Sequence, residues 1–316
     1  MMTQYEKIVL VTGGAGFIGS TYLNAMVLQY PSYFFVNVDA LTSVSDLHNI
    51  EVSKKENYVF VQENICNKDG LEKIFIEHKP THVVHFAAES HVDVSITNPS
   101  IFIETNLVGT GNLLSLSLAH SIQRFLQIST DEVYGSLGLD DAPFTEETPL
   151  APNSPYSASK AGSDLLVRSY NKTYGLDTVT TRCSNNYGPR QDRTKFIPCA
   201  ITALQNDEKI PVYGKGENIR DWLHVDDHVT ALDIAFHKGT SGEIYNIGGG
   251  TEMTNVEIAR LLSVFARKKD WFTFVEDRKG HDFRYAIDSS KIQALGWNPK
   301  KTFTDGLRDT FDWYNK

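Results

Sequence analysis

The amino-acid sequence predicts an α/β fold, a doubly wound parallel sheet followed by a smaller C-terminal domain. In the first half, short β-branched apolar runs alternate with longer amphipathic segments, which is typical of strand–helix–strand units around a parallel sheet. This rhythm lasts to about residue 183, and loops punctuated by glycine and proline follow it. The length of 316 residues suits two domains of about 100–200 residues each. The predicted division is residues 1–183 and residues 184–316, with some segments of the second part returning to the first domain.

The elements of the first half are assigned in order from these runs. The predicted strands are Ile8–Thr12, Phe34–Asp39, Tyr58–Gln62, His82–Ala87 and Arg124–Ser129. The predicted helices are Phe17–Gln29, Lys68–His78, Ser100–His120 and Pro155–Tyr174. Doubly wound sheets bind ligands outside the carboxyl ends of their strands, so residues that follow strands are the first candidates for function.

Composition and charge exclude several classes of protein. The net charge is −9, and no Lys/Arg block supplies the basic face that a nucleic acid needs. No stretch approaches the roughly 18 consecutive apolar residues of a membrane helix, and the N-terminus lacks the layout of a signal peptide. The cysteines, Cys66, Cys183 and Cys199, have no metal-ligand spacing. The sequence therefore predicts a cytoplasmic protein that acts on a small molecule, with no nucleic acid, membrane or metal as partner.

A glycine-rich loop follows the first predicted strand. Gly13 permits a tight turn, Gly16 lets the backbone approach a pyrophosphate, and Gly19 lets the next helix pack closely on the sheet. That helix begins with Phe17 and Ile18, and its N-terminal N–H groups and dipole favour a negative charge. The loop therefore predicts a dinucleotide site.

An acidic residue stands where such a site recognises ribose. Asp39 ends the second predicted strand, 20 residues after Gly19. A carboxylate here accepts hydrogen bonds from ribose hydroxyls and repels a 2′-phosphate, so NAD is favoured over NADP. The first domain is thus predicted to be a Rossmann-type NAD-binding domain.

Tyr156 and Lys160 form the first candidate reactive pair. Ser154 and Pro155 are suited to begin a helix, and residues four apart lie on the same helix face. A nearby ammonium favours the phenolate and lowers the pKa of a phenol, which makes tyrosine usable as a base near neutrality. Next to a dinucleotide loop, this pair is predicted to deprotonate an alcohol.

Thr130, Asp131 and Glu132 form the second candidate set. They follow the strand Arg124–Ser129, where loops open toward the ligand. Two neighbouring acids can titrate apart, so that one donates a proton while the other accepts one. This arrangement favours acid–base chemistry at the same ligand.

Together these motifs resemble the dTDP-glucose 4,6-dehydratases, a family of extended short-chain dehydrogenase/reductases. The resemblance extends over nearly the whole chain and includes the segments Ala87–Asp93, Cys183–Pro189, Asn218–Trp222 and Asp277–Asp282. It implies conversion of an NDP-hexose, foremost dTDP-glucose, to an NDP-4-keto-6-deoxyhexose and water with tightly bound NAD.

The resemblance also implies a role for each catalytic residue. Tyr156, supported by Lys160 and Thr130, would take the proton of the C4 hydroxyl as the C4 hydride passes to NAD. Glu132 would then remove the proton from C5 while Asp131 protonates the departing C6 hydroxyl. The hydride would return to C6, so the cofactor is regenerated in each turnover.

Ligand contacts and assembly are implied in the same way. NAD would contact, besides the glycine loop, Asp39 and the Tyr156–Lys160 pair, the residues Thr42, Asn64, Ile65, Ala87, Ala88, Ser90, Thr105 and Asn186. The sugar nucleotide would contact His91, Thr130, Asn185, Lys195, Phe196, Pro211, Tyr213, Arg220, Asn255, Arg278 and His281. Dimers are common in the family, so we expect a homodimer, with Ser100–His120 and Pro155–Tyr174 as candidate contact helices.

Three other readings stay open at this point. Asn64, Val94 and Thr194 depart from the usual aspartate, arginine and glutamate of the family, which leaves a UDP-hexose such as UDP-N-acetylglucosamine as an alternative substrate. A nucleotide-sugar 4-epimerase would share the fold, NAD and the Tyr–Lys pair, but would typically carry small uncharged residues in place of Asp131 and Glu132. A non-catalytic NAD-sensing protein would have no reason to retain the five catalytic side chains.

Overall fold

The computed structural model describes residues 5–277 and 280–316. These residues form two compact units, each built from separate stretches of the chain. The first unit runs to Thr130 and adds Ser154–Arg182 and Leu232–Tyr245. The second unit comprises Asp131–Asn153, Cys183–Ala231 and Asn246–Lys316.

Within the part of the chain that the structure describes, the strands form one large sheet and two small ones. They are β1 (Lys7–Thr12), β2 (Tyr33–Asp39), β3 (Tyr58–Gln62), β4 (His82–His85), β5 (Arg124–Thr130), β6 (Thr178–Cys183), β7 (Asn185–Tyr187), β8 (Ile210–Tyr213), β9 (Ile219–His224), β10 (Ile244–Ile247), β11 (Glu252–Thr254) and β12 (Phe272–Val275). The large sheet has the order β10-β6-β5-β4-β1-β2-β3, and the strand order reverses direction between β1 and β4. The pairs β1–β2, β1–β4, β2–β3 and β4–β5 are parallel. This is the doubly wound parallel sheet that the sequence predicts.

The helices connect these strands. They are α1 (Phe17–Gln29), α2 (Lys68–His78), α3 (Val92–Thr97), α4 (Pro99–Phe102), α5 (Thr110–Ala119), α6 (Pro155–Tyr174), α7 (Phe196–Gln205), α8 (Val225–Lys238), α9 (Asn255–Phe265), α10 (Ser290–Ala294) and α11 (Phe303–Tyr314). Within the described ranges, no helix is long and apolar enough to cross a membrane.

The predicted helix Ser100–His120 is wrong as a single α-helix. The chain forms α4, then a π-helix over Ile103–Gly109, and then α5. The π-helix leaves the carbonyl of Asn106 to accept hydrogen bonds from two hydroxyls, those of Thr110 and Ser163. Side-chain hydroxyls thus satisfy a backbone acceptor of this segment, and π-helical segments often lie at functional sites.

Each unit has its own apolar core. In the first unit, side chains of β1, β2 and β4 pack with those of α2 and α5, and Leu10, Phe75 and Leu113 are fully buried there. In the second unit, α7, α9 and α11 pack around β8 and β9, with Ile201, Leu262 and Leu307 inaccessible to solvent. Burial of such a side chain stabilises the fold by about 1.5–3 kcal/mol, so each unit has enough apolar contact to hold its loops in place.

Candidate active site

The glycine loop lies between β1 and α1 and has no room for side chains. Gly13 has a φ of +71°, and a Cβ built on it would lie 2.5 Å from the backbone N of Ala87. A Cβ on Gly19 would lie 2.3 Å from the carbonyl oxygen of Gly13. The loop therefore presents bare backbone, as the sequence predicts for a site that a pyrophosphate approaches closely.

The N-terminus of α1 has no side-chain cap. Its N-cap is Gly16, which has no side chain to accept from the first-turn N–H groups. The first turn, which begins with Phe17 and Ile18, contains no acidic residue either. Uncapped N–H groups and the helix dipole suit a phosphate, so this end of the helix fits the diphosphate of a dinucleotide.

Asp39 is held beside this loop by backbone hydrogen bonds. Its Oδ2 accepts from Ala15 N at 2.9 Å and its Oδ1 accepts from Leu41 N at 2.8 Å. The residue is only 5% exposed. Each carboxylate oxygen has a further lone pair, so Asp39 is oriented and still able to accept from ribose hydroxyls.

The remaining predicted cofactor residues of the first unit follow strand ends or lie in the π-helix. Ile65 is buried, and a Cβ on Gly109 would lie 2.5 Å from its Cδ1, which places the turn after β3 against the π-helix. Asn64 is exposed and accepts from Cys66 N at 2.8 Å. Other members follow β2, follow β4 or lie in the π-helix, namely Thr42, Ala87, Ala88, Ser90 and Thr105.

Tyr156 and Lys160 lie near the start of α6 and are both buried. A reciprocal pair of Ser154 and Ser157 hydrogen bonds caps this helix, and Pro155 occupies its first turn, as expected for a helix start. The Nζ of Lys160 donates to the carbonyl of Ile128 on β5 at 2.7 Å. The Lys160 ammonium is therefore fixed against β5, one helical turn from Tyr156. Its partner Ile128 lies two residues before Thr130, which ends β5.

Sequence reasoning missed Asn106, which joins three segments of the first unit. Its Nδ2 donates to the carbonyl of Glu89 at 3.0 Å and to the hydroxyl of Ser159 at 2.7 Å. Its Oδ1 accepts from Glu89 N at 2.8 Å. Asn106 thus ties the loop after β4 to α6. A polar residue that is 1% exposed inside an apolar helix is the signal that marks it.

A buried ion pair also holds α6 and was missed. The Oδ2 of Asp164 accepts from Arg182 Nε at 2.9 Å and from Ser129 Oγ at 3.0 Å. The two charged side chains are 3% and 4% exposed. One turn beyond Lys160, this carboxylate connects α6 to β5 and β6. Breaking one partner of such a pair is costly, about 3–5 kcal/mol, so α6 is rigidly placed on the sheet.

Asp131 and Glu132 begin the second unit, in a short 3₁₀ turn directly after β5. Asp131 is 1% exposed and Glu132 is half-buried. Tyr285, another residue that the sequence reasoning missed, interacts electrostatically with Glu132 within this unit. Burial raises its pKa well above the ordinary value, and the negative charge of Glu132 raises it further. Tyr285 therefore stays a protonated phenol near the Glu132 carboxylate.

Arg220 is buried on β9 and is anchored to the segment around Asp282. Its Nη2 donates to the carbonyl of Asp282 at 2.9 Å and its Nη1 donates to that of Phe283 at 3.2 Å. The guanidinium lies 4.3 Å from the ring centroid of Tyr285. The Asp282 side chain accepts from Asn153 Nδ2 at 2.7 Å and from the Tyr285 hydroxyl. A positive charge is thus fixed close to the phenol.

Asn186 belongs to the second unit, and its amide orientation is fixed. Its Nδ2 donates to the carbonyl of Ser184 at 3.0 Å, so its Oδ1 accepts from the Nδ1–H of His228 at 2.8 Å. Burial lowers the pKa of His228 to about 3, so the imidazole is neutral. The sequence reasoning had not singled out His228.

The other predicted substrate residues are distributed over both units. His91 precedes α3 in the first unit. The second unit holds Asn185 on β7, Lys195 and Phe196 at the start of α7, Pro211 and Tyr213 on β8, Asn255 at the start of α9, and His281. His281 Nδ1 lies 2.7 Å from Asp277 Oδ1. Arg278 lies outside the described residues.

Comparison with known proteins agrees with this arrangement. Residues 10–310 match the sequence profile of the family described as GDP-mannose 4,6 dehydratase. A dTDP-glucose 4,6-dehydratase of Neisseria meningitidis is 47% identical over 329 residues, which cover 97% of this chain and 92% of the relative. The chain belongs to the dTDP-glucose 4,6-dehydratase family.

Solved structures of this family and of a related one share the fold. A dTDP-glucose 4,6-dehydratase of Streptomyces venezuelae, solved with NAD bound, has a TM-score of 0.94 and 44% identity, covering 98% of this chain and 97% of the other. A UDP-glucose 4-epimerase of Thermotoga maritima has a TM-score of 0.91 but only 31% identity, with 98% of each chain covered. The fold is thus common to both activities, and the dehydratases are closer in sequence.

Proposed function

We propose that this protein is an NAD-dependent nucleotide-sugar 4,6-dehydratase that converts dTDP-glucose to dTDP-4-keto-6-deoxyglucose and water. The observation that carries the proposal is the pair Asp131–Glu132, one acid buried and the other half-buried, directly after the strand that ends in Thr130. Elimination of water needs one group to accept a proton and another to donate one. A 4-epimerase needs neither of these two acids.

NAD would be held mainly by the first unit. The glycine loop and the N-terminus of α1 would bind its diphosphate, and Asp39 would accept from a ribose hydroxyl. When bound, NAD supplies a hydride acceptor for C4 and returns the hydride to C6. The protein contributes the positions of the reacting groups and the electrostatic surroundings.

The proton transfers would be the work of five side chains. Tyr156 takes the proton of the C4 hydroxyl, with the Lys160 ammonium stabilising its phenolate and the Thr130 hydroxyl bonding to the same sugar oxygen. The C4 ketone makes the C5 hydrogen acidic, and Glu132 removes it. Asp131 protonates the C6 hydroxyl, which leaves as water.

Charged and aromatic residues would bind the sugar nucleotide. Arg220, Lys195 and Arg278 are suited to the diphosphate, because guanidinium and ammonium groups form charge-assisted hydrogen bonds with phosphate oxygens. The remaining contacts, mostly in the second unit, are those predicted from the sequence. We propose accordingly that the first unit is the cofactor domain and that the second is mainly the substrate domain.

The decisive experiment is product analysis in deuterated water. The protein is incubated with dTDP-glucose and, in separate reactions, with UDP-glucose and UDP-N-acetylglucosamine. We expect dTDP-glucose to lose its C6 oxygen and to gain one deuterium at C5. A C4 isomer without deuterium would identify an epimerase, turnover of a UDP-hexose alone would identify the alternative substrate class, and no product from any of them would favour an NAD-sensing protein.

The glycine loop offers a separate test of cofactor binding. Gly13→Ala is expected to reduce NAD retention at least tenfold, because its Cβ would meet the backbone of Ala87. Gly175 has the same φ of +71° but open space around the added Cβ, so Gly175→Ala is the matched control. Both variants cost about 1–2 kcal/mol in backbone strain at this positive φ. The measurement is bound NAD after gel filtration, and equal retention by the two variants would refute the assignment.

We also propose that the protein is a homodimer. Ile103, Val108 and Leu165 are more than half exposed on the π-helix and on α6, two elements of the first unit that contact each other, and exposed apolar patches mark interaction surfaces. Ile103→Glu with Leu165→Glu is expected to give a monomer in light scattering. Val264→Glu, at a position 65% exposed on α9, should leave the dimer intact. A wild-type monomer would contradict the proposal.

The cytoplasmic location stays a prediction from the sequence.

A further inference from the structure

His85 lies between two threonines in the interior of the first unit. It is the last residue of β4 and is 2% exposed. Its Nδ1 lies 2.7 Å from Thr12 Oγ1, and its Nε2 lies 3.0 Å from Thr110 Oγ1. Neither the predicted site nor the proposed reaction uses this imidazole, although both of its nitrogens are hydrogen-bonded.

The hydrogen-bond pattern fixes which nitrogen carries the hydrogen. The Thr110 hydroxyl donates its only hydrogen to the carbonyl of Asn106, at 2.6 Å, so Thr110 Oγ1 must accept from His85 Nε2–H. The Nδ1 of His85 is therefore an acceptor, and the Thr12 hydroxyl donates to it. Burial, and next the positive charge of Lys160, lower the pKa of His85 to about 3, so this tautomer stays neutral.

On one side, these bonds lead to the glycine loop. Thr12 immediately precedes Gly13, and its Oγ1 also accepts from Ala87 N, at 3.4 Å. Ala87 is the residue whose backbone closes on Gly13. The Nδ1 acceptor of His85 thus orients the Thr12 hydroxyl, next to the turn that would receive the pyrophosphate.

On the other side, they lead to the helix of the reactive pair. The Asn106 carbonyl accepts from Thr110 and also from Ser163 on α6. The Asn106 amide donates to Ser159, whose hydroxyl donates to the carbonyl of Tyr156 at 2.7 Å. Apart from the covalent connection within Asn106, every link from His85 to the backbone carbonyl of Tyr156 is therefore a buried hydrogen bond with a defined direction.

We propose that His85 is a positioning residue that links the cofactor loop to the helix carrying Tyr156 and Lys160. The inference rests on the proposed function, since it assigns NAD to the loop and proton transfer to Tyr156. The two nitrogens have separate roles. Nδ1 fixes the position of the glycine loop through Thr12, and Nε2 fixes the position of α6 through Thr110 and Asn106. Loss of one link is expected to affect one task more than the other.

Two conservative variants separate these links. Asparagine places an acceptor oxygen near the position of Nδ1, so His85→Asn can keep the bond from Thr12. Glutamine places an amide N–H near the position of Nε2, so His85→Gln can keep the bond to Thr110. His85→Phe removes both bonds. Loss of one of these buried hydrogen bonds is expected to change the quantity that it supports about tenfold, which corresponds to about 1.4 kcal/mol.

The experiment measures two quantities for each variant. NAD retention is measured without substrate, as bound NAD after gel filtration. The rate of C4 oxidation is measured as NADH absorbance in a single turnover with dTDP-glucose at saturating NAD. We expect His85→Asn to retain NAD like the wild type and to oxidise C4 about tenfold more slowly. We expect His85→Gln to retain about tenfold less NAD and to oxidise C4 nearly as fast, and His85→Phe to lose both.

His82 provides the matched control on the same strand. It is also buried, but among the described residues its ring nitrogen bonds only to the neighbouring Thr81 hydroxyl, at 2.8 Å, and its ring packs on Phe236. His82→Asn and His82→Gln are expected to lower the melting temperature and to leave both measured quantities unchanged. If the His85 variants do not fold, Thr12→Val and Thr110→Val take their place, with lower NAD retention expected from the first and slower oxidation from the second.

The outcomes distinguish this inference from the proposed function. Equal loss of both quantities in His85→Asn and His85→Gln, or no change in either, overturns the inference while leaving the wild-type reaction intact. If the wild type itself gives neither transient NADH nor dehydrated product with dTDP-glucose, the proposed function fails. The difference in NAD retention between the two variants then still tests the Nδ1 link.

Discussion

Replacing Tyr156 by phenylalanine is expected to lower the rate of C4 oxidation by about 10²–10⁴, the usual contribution of a general base. The variant keeps the buried ring, whose centroid is 6.3 Å from that of Phe102, but it has no oxygen to take the proton of the C4 hydroxyl. The measurement is NADH absorbance after mixing with dTDP-glucose. Because only the hydroxyl is lost, the unfolding temperature should stay close to that of the wild type.

Tyr174→Phe is the control for this experiment. Tyr174 ends the same helix and is 56% exposed, so the loss of its hydroxyl should leave NADH formation unchanged. An unaltered oxidation rate in Tyr156→Phe would remove Tyr156 from the role of base. A comparable loss in both variants would point instead to a general effect on the helix.

Replacing Glu132 by glutamine is expected to stop the loss of water while C4 oxidation continues. The amide cannot take the C5 proton, so the keto sugar should accumulate together with NADH, and solvent deuterium should not enter C5. The expected decrease in dehydration is again about 10²–10⁴. Mass spectrometry of the sugar and NADH absorbance together measure the two stages.

Glu147→Gln makes the same chemical change at an exposed position of the second unit, and we expect normal turnover from it. Full dehydration by Glu132→Gln would show that another group removes the C5 proton. Loss of NADH formation in that variant would show that Glu132 also acts in the first step, which the proposed mechanism does not require.

Local sequence patterns were enough to predict much of the fold. The helices Phe17–Gln29, Lys68–His78 and Pro155–Tyr174 have the predicted bounds, because the residues that begin them are local in sequence: Gly16 precedes the first, and the Asn67 and Ser154 side chains cap the other two. The glycine loop and Asp39 were found for the same reason, since a short spacing specifies their geometry. Their placement in the structure follows from one strand–helix–strand unit.

Residues joined across long stretches of sequence could not be predicted. Asp164 pairs with Arg182, and the Asp282 side chain accepts from Asn153, 129 residues away. The carbonyl of Asn106 in the π-helix accepts a hydrogen bond from the hydroxyl of Ser163, which lies on another helix. These residues position the candidate site, yet no short sequence pattern predicts them. Their hydrogen-bonding and ionic partners come together only after the chain has folded.

The π-helix makes chain length itself a constraint in this segment. In an α-helix each residue turns the chain by about 100°. A deletion of one residue within Ile103–Gly109 would allow ordinary α-helical winding, and we expect local helicity to be retained. It would also rotate the Asn106 amide away from Ser159 and Glu89, so the register between neighbouring helices would be lost. Point substitutions are therefore expected to be tolerated at its exposed positions, whereas a one-residue insertion or deletion anywhere in these seven residues should be selected against.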